Sequence, residues 1–134
     1  LMQLAGGTLA VEGQYDFVRA RFADATHVPR IPPHRVGGGL SWRDGRWLVR
    51  VHLLHAFAQN DVAAEETATP GYDLLSAAVS YTHRFKTAEG ASELTLGIAG
   101  TNLLDDDVRN HVSFKKDEVL LPGRSVRVFA SWTF

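Results

Sequence analysis

Trp47-Leu48-Val49-Arg50-Val51-His52-Leu53-Leu54-His55-Ala56-Phe57 places Trp47, Val49, Val51, Leu53, His55 and Phe57 in one register and Arg50 and His52 in the other. A period of two marks a two-faced β-strand, because successive side chains of an extended chain point to opposite sides. Just upstream, Val36, Leu40 and Trp42 share a face against Gly37, Gly39 and Ser41. Asp44-Gly45 lies between, a dipeptide suited to positive φ at both central positions of a tight turn. The two segments therefore read as a hairpin.

The same alternation extends both ways. Thr8 to Val18 sets Leu9, Val11, Tyr15 and Phe17 against Thr8, Glu12, Gln14 and Asp16. After Pro70, Leu75, Ala77, Val79, Tyr81 and Phe85 oppose Ser76, Ala78, Ser80, Thr82 and Arg84. Leu94, Leu96 and Ile98 oppose Glu93, Thr95 and Gly97, and Val126, Val128, Ala130, Trp132 and Phe134 oppose Ser125, Arg127, Ser131 and Thr133. The prolines cluster at Pro29, Pro32 and Pro33, with Pro70 and Pro122 alone, outside these runs, since proline removes a ladder hydrogen bond. The reading is an all-β antiparallel meander of about six strands without a helix.

Connections alternate as well. Those at Asp44-Gly45 and through Lys86–Ala91 are short, whereas Ala23–Pro33, Gln59–Gly71 and Asp105–Gly123 are long and polar. Short and long links thus fall at opposite ends of the sheet, the asymmetry of outer-membrane barrels.

Composition narrows the classes. The chain has 134 residues and a net charge of -1, which argues against capture of nucleic acid by phosphate neutralisation. Absence of cysteine excludes disulfides, thiolate metal sites and a Cys nucleophile. Every apolar run is interrupted well before the roughly 18 residues of a membrane helix, a test that does not reach β-barrels. Leu1-Met2-Gln3-Leu4 carries no secretory leader pattern, so an exported protein would begin upstream.

Alternation defines two faces without saying which one meets water. A soluble β-barrel binding a small hydrophobic ligand would turn Leu53, Val79, Ile98 and Val128 inward; a transmembrane barrel would turn them to lipid. Charge placement favours the membrane, where Arg or Lys at the bilayer midplane of the lipid face costs roughly 2 to 4 kcal/mol. Glu12, Asp16, Arg50, Arg84, Glu93 and Arg127 keep to the other register, as lumen-facing residues would. Arg19, His55 and His83 break the rule toward strand ends. Trp42, Trp47, Tyr81, Phe85, Trp132 and Phe134 gather near the short turns, and Phe17, Phe57 and Tyr72 near the long loops, as interfacial belts would.

Thr101-Asn102-Leu103-Leu104-Asp105, Arg109-Asn110-His111-Val112-Ser113-Phe114, Lys116-Asp117, Pro122-Gly123-Arg124 and a strand closing on Phe134 together resemble the C-terminal end of a TonB-dependent outer-membrane receptor. Ile31-Pro32-Pro33-His34-Arg35 and Thr69-Pro70-Gly71-Tyr72 are similar to late barrel strands of that family. The resemblance implies a barrel of about 22 strands enclosing a plug domain. Such receptors import metal chelates, haem, cobalamin or similar scarce solutes with energy from the TonB complex. On this basis residues 1–134 form the C-terminal segment of the barrel, without the plug and earlier strands. Its partners would be outer-membrane lipid, the plug and remaining strands, TonB through the missing N-terminal part, and the barrel-assembly machinery reading Trp132 and Phe134.

No enzymatic role and no cofactor are expected. His27, His111, Asp105 and Asp106 are candidate metal ligands by residue type, although none has close ligand spacing. Asp105-Asp106-Asp107 has the oxygen ligands of a calcium site, but an acidic run is usually a solvated face. Ser113, His111 and Asp117 contain the groups of a hydrolytic trio but lack a nucleophile-elbow motif. Gly37-Gly38-Gly39 has no following Lys or helix and so is not a phosphate loop.

Overall fold

The computed structural model describes residues 1–87 and 90–134. Seven antiparallel strands follow chain order through one sheet: β1 Met2–Leu4, β2 Gly7–Asp16, β3 Arg35–Arg43, β4 Trp47–Ala56, β5 Tyr72–Thr87, β6 Gly90–Thr101 and β7 Ser125–Thr133. The all-β meander expected from the alternation is present. The additional strand, β1, is three residues long, too short for a period to be read. Strands β2 to β7 have 9 to 16 residues, enough to cross a bilayer when tilted, which takes about 9 to 11.

Local chemistry closes the short links. Ala5 and Gly6 both take positive φ, 52° and 77°, as a two-residue hairpin requires. At Asp44-Gly45 the turn differs from expectation: only Gly45 is left-handed, at φ 92°. The link contains Arg46 as a third residue, and the Asp44 carboxylate closes it by accepting the N–H groups of Arg46 at 2.9 Å and Trp47 at 2.7 Å. Strands β5 and β6 pair as far as Thr87 and Gly90, beyond the expected ends at Lys86 and Ala91. Ala88 and Glu89, inside that expected link, lie outside the described residues. The long connections span 17–34, 57–71 and 102–124, so length alternates along the whole chain.

Register holds one set of side chains together across the sheet. Leu9, Trp42, Val49, Val79, Ile98 and Val128 form one row, and Val11, Leu40, Val51, Ala77, Gly100 and Val126 the next. Among the described residues Leu103 lies over Gly100, but most of this face stays open: Val11 is 73% exposed, Leu53 44%, Ile98 44% and Val128 80%. Among the described residues only Ala56 and Val108 are buried hydrophobics, so there is no interior of the kind a sandwich or closed soluble barrel builds. The sheet is one layer whose apolar face needs a partner outside the described chain.

Candidate functional site

The face opposite the apolar one carries Glu12, Asp16, Arg50, Arg84, Glu93 and Arg127, all six brought to one side by the register. Asp16 pairs with Arg35 at 3.0 Å, and Arg84 with Glu93 at 2.6 Å across β5 and β6. Thr82 and Thr95 share a 2.8 Å hydrogen bond beside them. This face is mixed, however. Phe129 lies across Gly97, where a Cβ would run into the ring. Glu12 and His52 close over Gly39 in the same way. Glycine on one strand thus receives a side chain from the next.

Aromatic rings band the two ends of the sheet. Trp47 meets Tyr81 at 4.9 Å and Phe85 meets Trp132 at 5.5 Å near the short links. Phe17 with His34 and Phe57 with His55, at 4.3 and 4.6 Å, mark the other end. Tyr72 is at that end but stands across the sheet, opposite Ala56 on the polar face, so it does not join the belt expected of it. Phe134 follows the last strand and is 98% exposed. Arg19 lies past β2, in a loop, and His83 stacks on Phe85. Asp73 is a further charge on the apolar side that alternation alone passes over; it pairs with His55 at 2.8 Å.

The three long connections are tied together by a buried polar knot. Glu66 accepts from Lys116 Nζ at 3.0 Å, from the Arg30 N–H at 2.9 Å and from the Ala63 N–H at 3.2 Å. Lys116 also donates to the Thr67 carbonyl, and Thr67 donates to Asp117 at 2.7 Å. His111 is 1% exposed, its Nδ1 2.8 Å from Thr69 Oγ1 and its Nε2 3.3 Å from Glu66 Oε1. That second contact is electrostatic, because Nε2 is off the line of a hydrogen bond. Burial, reinforced by the nearby Lys116 ammonium, pushes the His111 pKa down although Glu66 and Asp117 pull it up. Burial raises Glu66, yet the bonds from Ala63, Lys116 and Arg30 outweigh it and hold the carboxyl below its usual range. Between the loops opens a cleft of about 400 Å³, with Arg30 over the Phe114 ring at its rim.

The candidate metal ligands do not converge. His27 lines a separate cleft of about 150 Å³ with His34 and Asp61. Asp105 accepts the Arg124 N–H at 2.8 Å, and Asp106 accepts that of Asp73 at 2.7 Å. No group of three metal-binding side chains occurs among the described residues. Ser113, His111 and Asp117 are likewise drawn apart, to the Lys115 N–H, Thr69 and Thr67. Asn102 is 2% exposed and its amide closes the turn onto Asp106 N and O at 3.0 and 2.9 Å. It does so from positive φ, 49°, which Asn tolerates better than most residues. The Asn-Leu-Leu-Asp motif is therefore a strand stop and loop organiser.

An uncovered apolar face, a polar opposite face and alternating link lengths together define a piece of barrel wall. The model of the family described as TonB dependent receptor-like, beta-barrel, matches residues 3–103. The chain belongs to that family. TonB-dependent receptors are outer-membrane transport proteins, and their barrels stand in lipid with a plug domain and TonB as partners in the whole protein. The match takes in the segments at 31–35 and 69–72 and ends at Leu103, inside Thr101-Asn102-Leu103-Leu104-Asp105, so the resembling segments from Arg109 onward lie beyond it.

Proposed function

We propose that residues 1–134 are the C-terminal segment of a TonB-dependent receptor's barrel, forming part of its wall and three external loops that take part in selecting a scarce solute such as a metal chelate or haem. The observation that carries this reading is the uncovered apolar register, with Val128 80% and Ile98 44% exposed on an open sheet. At roughly 25 cal/mol per Å² such a face is costly in water and favourable against acyl chains. Edges β1 and β7 each pair on one side only among the described residues, so further strands would close the barrel. Glu12, Asp16, Arg50, Arg84, Glu93 and Arg127 then face the lumen, and Trp132 with Phe134 forms the end read by the barrel-assembly machinery.

Topology is testable in intact Gram-negative cells expressing the full-length receptor. A cysteine replacing Glu65 should react with a membrane-impermeant maleimide from outside, while one replacing Arg46 should react only after the outer membrane is permeabilised. The reverse pattern, or a protein recovered in the soluble fraction, overturns the reading.

A further inference from the structure

On the polar face, Ser41, Arg50, Ala78, Ala99 and Arg127 stand side by side on β3 to β7. Arg35 and Arg84, elsewhere on this face, each hold a carboxylate, but Arg50 and Arg127 have no ion-pair partner among the described residues. Their neighbours between are two alanines, so no large side chain of that row separates them, and the Phe129 ring over Gly97 stands in the next row. Three inter-strand steps of about 4.8 Å put the two Cα atoms roughly 14 Å apart. Arginine side chains are long enough that, extended over the alanines, they would span that gap and hold one small solute between them. The adjoining row adds hydroxyls: Ser76 opposite His52, and Thr101 bonded to Ser125 at 2.8 Å. Chemically this is a floor of small residues between two planar donor forks, with hydroxyls along one side.

We propose that Arg50 and Arg127 form a two-pronged anion site on the barrel wall, for a solute carrying two carboxylate or phosphate groups. Guanidinium forks match such groups bidentately, and each bond is charge-assisted. The inference rests on the wall reading above, since only a lumen-facing site would meet a solute.

The test uses the full-length receptor purified in detergent, with inorganic pyrophosphate as probe and isothermal titration calorimetry as readout. Arg50→Gln and Arg127→Gln should each weaken binding about tenfold, the scale of one charge-assisted hydrogen bond. Arg46→Gln, which removes the same charge at a turn, should leave affinity within about twofold. Heat-modifiable gel migration reports whether each variant still forms its barrel. No binding by the parent protein, or equal weakening by Arg46→Gln, overturns the anion site while leaving the barrel standing. Loss of heat-modifiability in the parent itself would instead remove the barrel reading beneath it.

Discussion

His55 Nδ1 lies 2.8 Å from Asp73 Oδ1 on the apolar side of the sheet, with both side chains close to half exposed. The pair sits in the row of Tyr15 and Val36, at the end bearing the long loops. A hydrogen bond there satisfies two polar groups that would otherwise face hydrocarbon or headgroups singly. A double-mutant cycle with His55→Leu and Asp73→Leu should give a coupling of about 0.5 to 1 kcal/mol in urea unfolding of the receptor, the range of exposed pairs. Additive effects would mean that the two residues act independently.

Gly97 and Phe129 make a sharper test of packing. A methyl group at position 97 enters the ring, so Gly97→Ala should destabilise by roughly 1 to 3 kcal/mol. In a Phe129→Ala background the same change should cost almost nothing. Equal costs in both backgrounds would show that the ring is free to move away.

Acidification should loosen the loop knot through His111. Its pKa is lowered from 6.5, so the knotted form resists a proton that an opened loop accepts. Stability of the knot is therefore full above about pH 6.5 and falls as pH drops from there through the lowered value. Limited proteolysis of the loops should accelerate as pH falls below about 6.5, and His111→Gln should flatten that dependence. An acid response unchanged by the substitution would place the titrating group elsewhere.

Lys116 neutralises Glu66 with both side chains under one-tenth exposed. Lys116→Met strands a buried carboxylate and should cost about 3 to 5 kcal/mol of loop stability, most of it recovered by adding Glu66→Gln. Hydrogen exchange at Thr67 and Asp117 amides would register both effects.

Asn102→Ala should shorten the life of the Asp105–Asp106 turn, because two half-buried backbone groups of Asp106 lose their partners at a cost of about 1 to 3 kcal/mol. Asn102→Gly keeps the positive φ without the bonds and should fall between the parent and the alanine variant. Backbone exchange at Asp106 distinguishes the three.

Strand order, face assignment and the inventory of short and long links were legible because each depends on neighbours two residues apart, and Val49, Val51 and Leu53 need no distant partner to declare their side. Turn chemistry was legible in part: Asp44-Gly45 announced a hairpin, but its three-residue form depends on a carboxylate whose bonds appear only once the strands are paired. The loop knot left no periodic trace. Glu66 and Lys116 are fifty positions apart and look like any solvated charges, until the meander brings loops 57–71 and 102–124 to the same end.

Sequence alone determined that this chain alternates into ribbons with one greasy and one polar side, since the two-residue period of an extended backbone converts order directly into orientation. Only the tertiary structure decided that the greasy side stays uncovered and that His111, Asp105 and Asp106 are held by different partners. Those outcomes depend on which segments meet across a register, and a pairing distance is written in no single stretch of residues.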